Sequence, residues 1–239
     1  MPDFNTMRAS TAATRATQID EGLRAHMNKV YGLMSVAMLI TGVVAFGVGS
    51  NTQLIAAIWG SGLKWVVMLA PLAVVFAFSA MINRMSTATA QMVFLGYSAL
   101  MGLSISFIFA AYTGVSIAQT FLVTAIAFAG LSLYGYTTKR DLSPMGSFLM
   151  MGLIGLVVAS ILNIFIASSA LQFAISVIGV LLFAGLTAYD TQNIKNTYLQ
   201  LAATDRDFVG KAAILGALQL YLDFLNLFMF LLQFMGDRR

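Results

Sequence analysis

Apolar residues fill seven stretches of this chain, at 30–49, 64–82, 91–112, 117–136, 146–166, 171–190 and 212–235, and polar residues mark the breaks between them. Each stretch is close to the ~20 residues a helix needs to cross a bilayer. Connectors such as Thr-Gly-Val-Ser-Ile at 113–117 and Ala-Ser-Ser-Ala at 167–170 leave no room for a module outside the membrane. Only the stretch from Thr191 to Lys211 is long enough to form structure of its own. The pattern predicts an all-α polytopic membrane protein, a seven-helix bundle over residues 25–239. A cytosolic, partly disordered tail at 1–24, rich in Thr and Ala, precedes it.

Composition agrees with the pattern. The chain is 59% hydrophobic and 9% charged, against roughly 25% charged in soluble domains. It has no Cys and one His, which excludes disulfides, thiolate catalysis and multi-histidine metal sites. Metal chemistry would have to use oxygen ligands. The net charge of +4 comes from basic residues scattered between apolar runs, so no nucleic-acid surface is expected. Their arrangement speaks instead to orientation. Arg8, Arg15, Arg24, Lys29, Arg84, Lys139, Arg140, Lys195, Arg206 and Lys211 fall on one side, and Lys64, Arg238 and Arg239 on the other. The excess of Lys and Arg puts the N-terminus in the cytoplasm and the C-terminus outside. No short apolar core with a small-residue cleavage site follows the tail, so it does not read as a targeting peptide.

Against this apolar background the buried charges stand out. Asp223 lies 11 residues past Ala212, about 16 Å along a helix and near the middle of a ~30 Å hydrocarbon core. An ionised carboxylate there costs at least ~2.5 kcal/mol, so Asp223 should face the bundle interior and be protonated or paired. Gln219, Asp223, Asn226 and Gln233 share a helix face and predict a polar stripe on the seventh span. Asp190 ends the sixth span, with Thr187 one turn before it and Asn193 three residues after. By residue counting Asp190 is shallower than Asp223, unless the sixth helix continues past it. Arg84, at the end of the second span, can reach inward by its long stem. Together Asp190, Asp223 and Arg84 could form a proton-operated latch. Plainer readings stand beside this one: a helix-end charge for Asp190, a structural hydrogen-bond donor for Asp223, and an orienting charge for Arg84. His26 reads as an interfacial residue and Asn163 as an interhelical hydrogen-bonder. Small residues at Ser98, Gly102 and Ser106, and at Gly152, Gly155 and Ala159, are expected to mark helix interfaces.

Several seven-helix classes fail on residues. A retinal protein needs a lysine in the middle of the seventh span, where this chain has Asp223. A rhomboid-type serine protease needs an intramembrane His. An intramembrane aspartyl protease uses Tyr-Asp on its sixth helix and Gly-x-Gly-Asp on its seventh. Tyr189-Asp190 matches the first motif, but Leu-Tyr-Leu precedes Asp223 in place of the second. The aspartyl protease is kept as the lesser alternative on the Tyr-Asp match alone, and the chain is not expected to be an enzyme.

Four motifs carry a family resemblance: KVYGLMSVAMLITG at 29–42, SLYGYTTKRDLSPMG at 132–146, LTAYDTQNIK at 186–195 and ALQLYLDFLNLFMFLLQFMG at 217–236. As a set they resemble the Bax inhibitor-1 (transmembrane Bax inhibitor motif) family, with bacterial members looking most alike. The resemblance implies a bundle whose central helix is wrapped by the others, and a pH-sensitive calcium leak through it in the bacterial inner membrane. It implies that Asp190 and Asp223 form a proton-sharing pair that Ca²⁺ can meet, with Arg84 able to latch onto Asp190. No cofactor is implied; Ca²⁺ is the permeant ion. A role in modulating membrane-bound ATP-dependent proteases of the FtsH type is the alternative that the resemblance implies, and it would use the N-terminal tail.

Overall fold

The computed structural model describes residues 4–204 and 206–239, with side chains at 18–202 and 208–239. Among the described residues the chain is almost entirely helical, in the order α1 (Phe4–Gly49), α2 (Thr52–Trp59), α3 (Leu63–Met81), α4 (Thr87–Ile105), α5 (Ile108–Ala111), α6 (Gly114–Thr137), α7 (Ser143–Ile166), α8 (Ser169–Thr204) and α9 (Arg206–Met235). A 3₁₀ turn at Ile82–Arg84 follows α3. Among the described residues seven helices are long and apolar enough to cross a membrane. The protein is an all-α polytopic membrane protein, as the hydropathy pattern predicts.

Local chemistry sets the helix ends. The Asn51 side chain accepts from the N–H groups of Gln53 and Leu54 and starts α2. Ser86 accepts from Thr89 N–H to start α4, and Thr113 from Ser116 N–H to start α6. Each supplies an acceptor to the unpaired amides of a first helical turn. Before α7, Asp141 Oδ1 accepts from Ser143 N–H at 2.9 Å. The Ser143 hydroxyl and this N–H hold the Asp141 carboxyl below the usual carboxylate range. Ala167 closes α7 in the left-handed conformation, with φ 53°.

Helix α9 is the centre of the bundle. In its apolar window 61% of residues are buried, against 17–39% in the other spans, and Ile214, Ala217, Leu220, Tyr221 and Leu232 have no exposed surface. Helices α1, α4, α6 and α8 pack around it, α3 lies against α4, and α7 lies against α8. A wrapped helix must be apolar on every side, and a lipid-facing one only needs to match the acyl chains. That is why α7 leaves Phe148, Ile164 and Phe165 exposed without penalty.

Two connectors differ from the sequence reading. The stretch 191–211, expected to be a connector with structure of its own, is helix on both sides of residue 205, because α8 runs on to Thr204 and α9 begins at Arg206. The connector between the first and second spans holds the extra helix α2. The tail at 1–24, with the protease contact the alternative assigned to it, lies outside the described side chains up to residue 17. Residues 18–24 belong to α1, and Leu23 and His26 are buried at its inner face. At the opposite end of the bundle the last residues strap across the α5–α6 corner. Thr113 N–H donates to Asp237 O at 3.1 Å, Asp237 N–H to Ser116 Oγ at 2.9 Å and Arg239 N–H to Ala111 O at 3.0 Å.

Candidate functional site

Asp223 sits on α9 and is 4% exposed. Its span runs Phe208–Met235, which places it about 22 Å from one end and about 18 Å from the other. Asp190 sits on α8, whose span reaches Ala202, so it lies about 18 Å inside that end. The two residues are level. The sequence count made Asp190 shallow because it stopped at the last apolar residue, whereas α8 continues three more turns through polar ones.

Packing between α8 and its neighbours fixes this register. A Cβ at Gly135 of α6 would run into the backbone of Ala188, so the missing side chain lets α6 close on α8 two residues before Asp190. A Cβ at Gly216 of α9 would meet Ile194 of α8 at 3.0 Å. Further along, the Phe183 and Phe230 rings stack at 5.8 Å. Beyond them Gln172 Nε2 donates to Gln233 Oε1 at 2.8 Å, and Asn163 Nδ2 donates to Gln172 Oε1 at 3.0 Å.

With α8 and α9 so aligned, the side chains of Asp190 and Asp223 are hydrogen-bonded to each other. Two ionised carboxylates have no donor between them, so a hydrogen bond in this pair requires a shared proton. The other Asp223 oxygen, Oδ2, is buried without a hydrogen-bond partner. The site is thus a carboxyl pair with one acceptor left open, halfway through an apolar bundle.

The residues expected to support the pair divide. Thr187 is buried beside Asp190, its hydroxyl donating to Phe183 O at 2.7 Å. Asn226 is half-buried and donates to Leu222 O of its own helix at 2.8 Å. Gln219 and Asn193 are exposed. The stripe on α9 therefore does not share one environment, because a wrapped helix meets different neighbours along its length; Gln233 serves the Gln172 contact instead. Arg84 is exposed on its 3₁₀ turn and forms no ion pair with any described residue. The structure brings Asp190 and Asp223 together and leaves Arg84 apart.

Some polar groups near the pair went unread in the sequence. Thr191 Oγ1, Ser132 Oγ and Tyr31 OH form a hydroxyl chain across α8, α6 and α1, with links of 3.0 and 2.5 Å. Gln192 is buried and grips the α6–α7 connector, donating to Arg140 O at 2.7 Å and accepting from Leu142 N–H at 2.8 Å. Lys195 donates to Tyr136 O at 2.9 Å. A signal did exist: polar residues in continuing helical phase after Asp190. Among the described residues no three His, Cys, Asp or Glu groups converge as a metal site. Among the described residues Asp190 and Asp223 are the carboxyl groups inside the bundle.

Comparison with known proteins comes from the whole chain. The profile of the family described as inhibitor of apoptosis-promoting Bax1 matches residues 23–239. The inner membrane protein YbhL of Escherichia coli K12 is 48% identical over 219 residues, covering 91% of this chain and 94% of that protein. An uncharacterised protein of Rickettsia prowazekii is 46% identical and covers 96% of both chains. One from Caulobacter vibrioides is 44% identical and covers 100% of both.

Proposed function

The chain belongs to the Bax inhibitor-1 family, and on that premise we propose that it is a calcium leak pathway gated by the Asp190–Asp223 pair. The observation that carries this reading is the hydrogen-bonded contact of two carboxyl groups at mid-membrane depth. Intramembrane ionisable groups are costly, and they mark ion or proton pathways where they occur. While the proton is shared, the pair clasps α8 to α9. Once it is lost, two like charges face each other in low dielectric and the clasp is driven apart.

Ca²⁺ is the cargo. It prefers hard oxygen ligands and takes six to eight of them in a tight site. Two carboxylates are too few to trap it, which suits a point of passage. The buried Asp223 Oδ2 has no hydrogen-bond partner and is an acceptor free for such an ion. Pairing of Arg84 with Asp190 needs a different arrangement, since Arg84 stands at the mouth of the bundle. The membrane proposed is the inner membrane named for YbhL, with the N-terminus cytoplasmic by the distribution of Lys and Arg.

The test is efflux from calcium-loaded vesicles containing the purified protein. Efflux should exceed that of protein-free vesicles and rise with pH across about pH 6 to 8. Asp223→Asn keeps the shape and a hydrogen bond to Asp190 but removes the shared proton, so the pH profile should flatten. Equal efflux with and without protein would remove the channel reading. An unchanged profile in Asp223→Asn would return that residue to a structural role.

A further inference from the structure

Helices α1 and α6 each pack on α8 and α9 but scarcely on each other. Between them lies a cleft of about 1830 Å³, floored by Phe224 of the central helix. It runs along α1 from Arg24 to Gly49, about 38 Å by helical rise, which exceeds the ~30 Å hydrocarbon thickness. Its walls are apolar, with Met34 and Met38 on one side and Phe121 and Phe128 on the other. At the end of the cleft near the start of α1 the lining changes character, to Arg24 and Asn28.

We propose that this cleft seats one anionic phospholipid of the leaflet on Arg24's side, its phosphate at Arg24 and Asn28 and an acyl chain along Met34, Met38 and Phe128 to Phe224. A slot open to the bilayer and lined by apolar side chains takes an acyl chain, because water there would leave hydrogen bonds unmade. Flexible methionine side chains adapt to a mobile chain. Charge then decides which lipid. Arg24 is exposed and forms no ion pair with any described residue, although Asp20 and Glu21 lie one turn before it. A free guanidinium at the membrane surface favours an anionic headgroup. The seated chain would rest on Phe224, next to Asp223 on the central helix, yet the proposal does not depend on calcium passage.

Delipidated protein in detergent, titrated with phosphatidylglycerol or phosphatidylcholine of the same chains and read by native mass spectrometry, tests this. Phosphatidylglycerol should bind about fivefold more tightly, the factor expected from one arginine at an anionic surface. Arg24→Gln should abolish that preference and retain chain binding. Ala129→Trp projects into the cleft from an exposed position on α6, and should reduce binding of both lipids at unchanged helicity and melting temperature. Equal affinity for the two lipids in the parent protein overturns the proposal. So does parent-like binding by Ala129→Trp, and so does a protein dimer in place of lipid adducts, since a second copy would then cover the cleft.

Discussion

Asp223 and Tyr221 lie two residues apart on α9 and hold different neighbours. Tyr221 is fully buried, its OH 2.7 Å from Thr41 Oγ1, while Thr41 Oγ1 also lies 2.8 Å from Ser98 O and 2.9 Å from Ala37 O. Thr41 has one proton and spends it on a carbonyl, so the tyrosine hydroxyl is the donor. This node ties α9 to α1 and α4, and the rings of Phe94 and Tyr97 pack edge-on against Tyr221. Tyr221→Phe keeps the packing and loses the donor. The expected cost is about 0.6 kcal/mol, the average for interhelical hydrogen bonds in membranes, seen as a slightly lower melting temperature in detergent. At this scale the sequence was partly legible. Asp223 announced itself as a charge in an apolar run, but its partner did not, because Asp190 sits where the apolar run ends. The hydroxyl chain of Tyr31, Ser132 and Thr191 was illegible for a related reason: lone hydroxyls in membrane helices usually bond their own backbone, and which ones reach across depends on how the helices turn.

Among the elements, α8 taught the most. Its apolar run ends at Asp190, and the three turns that follow contain Gln192, Asn193, Lys195 and Asn196, so hydropathy alone stops too early. Helix continues because none of these residues breaks it and because Gln192 finds partners on the α6–α7 connector and Lys195 one in the last turn of α6. Small residues sorted themselves by neighbour, not by spacing. Gly102 lets α4 approach α1, where a Cβ would lie 2.6 Å from Thr41 O, and Gly152 faces Leu182 at 2.8 Å. Gly155, in the same expected stripe as Gly152, has nothing within 4 Å and is exposed. Gly135→Ala should therefore wedge α6 from α8 and cost about 1–3 kcal/mol, as overpacking does. Gly155→Ala should stay within about 0.5 kcal/mol of the parent. Thermal denaturation of both variants in one detergent makes the comparison; similar losses would show that the α6–α8 contact is looser than described.

Over the whole molecule, the distribution of burial predicts an order of opening. The central helix is covered on several sides and α7 only along the edge that meets α8. Local opening is cheapest where few buried contacts hold an element. Hydrogen exchange on the protein in lipid discs should show α9 protected longest and α7 less. Faster exchange in α9 than in α7 would contradict the wrapped arrangement. That arrangement was the least legible feature at this scale from hydropathy, since all seven spans look alike in a sliding window; it entered through the family resemblance.

The strap formed by Asp237, Arg238 and Arg239 bears on how the membrane orientation of this chain is to be measured. A reporter enzyme fused directly after Arg239 would begin at a residue whose amide already bonds Ala111 and whose neighbour Arg238 lies 5.9 Å over the Tyr112 ring. Such a fusion would pull on the α5–α6 corner and could report a disturbed protein. A flexible glycine-serine spacer of about ten residues, reaching roughly 16–19 Å on average, separates the tag from the corner, so that reporter activity reads the side of the membrane and not the damage.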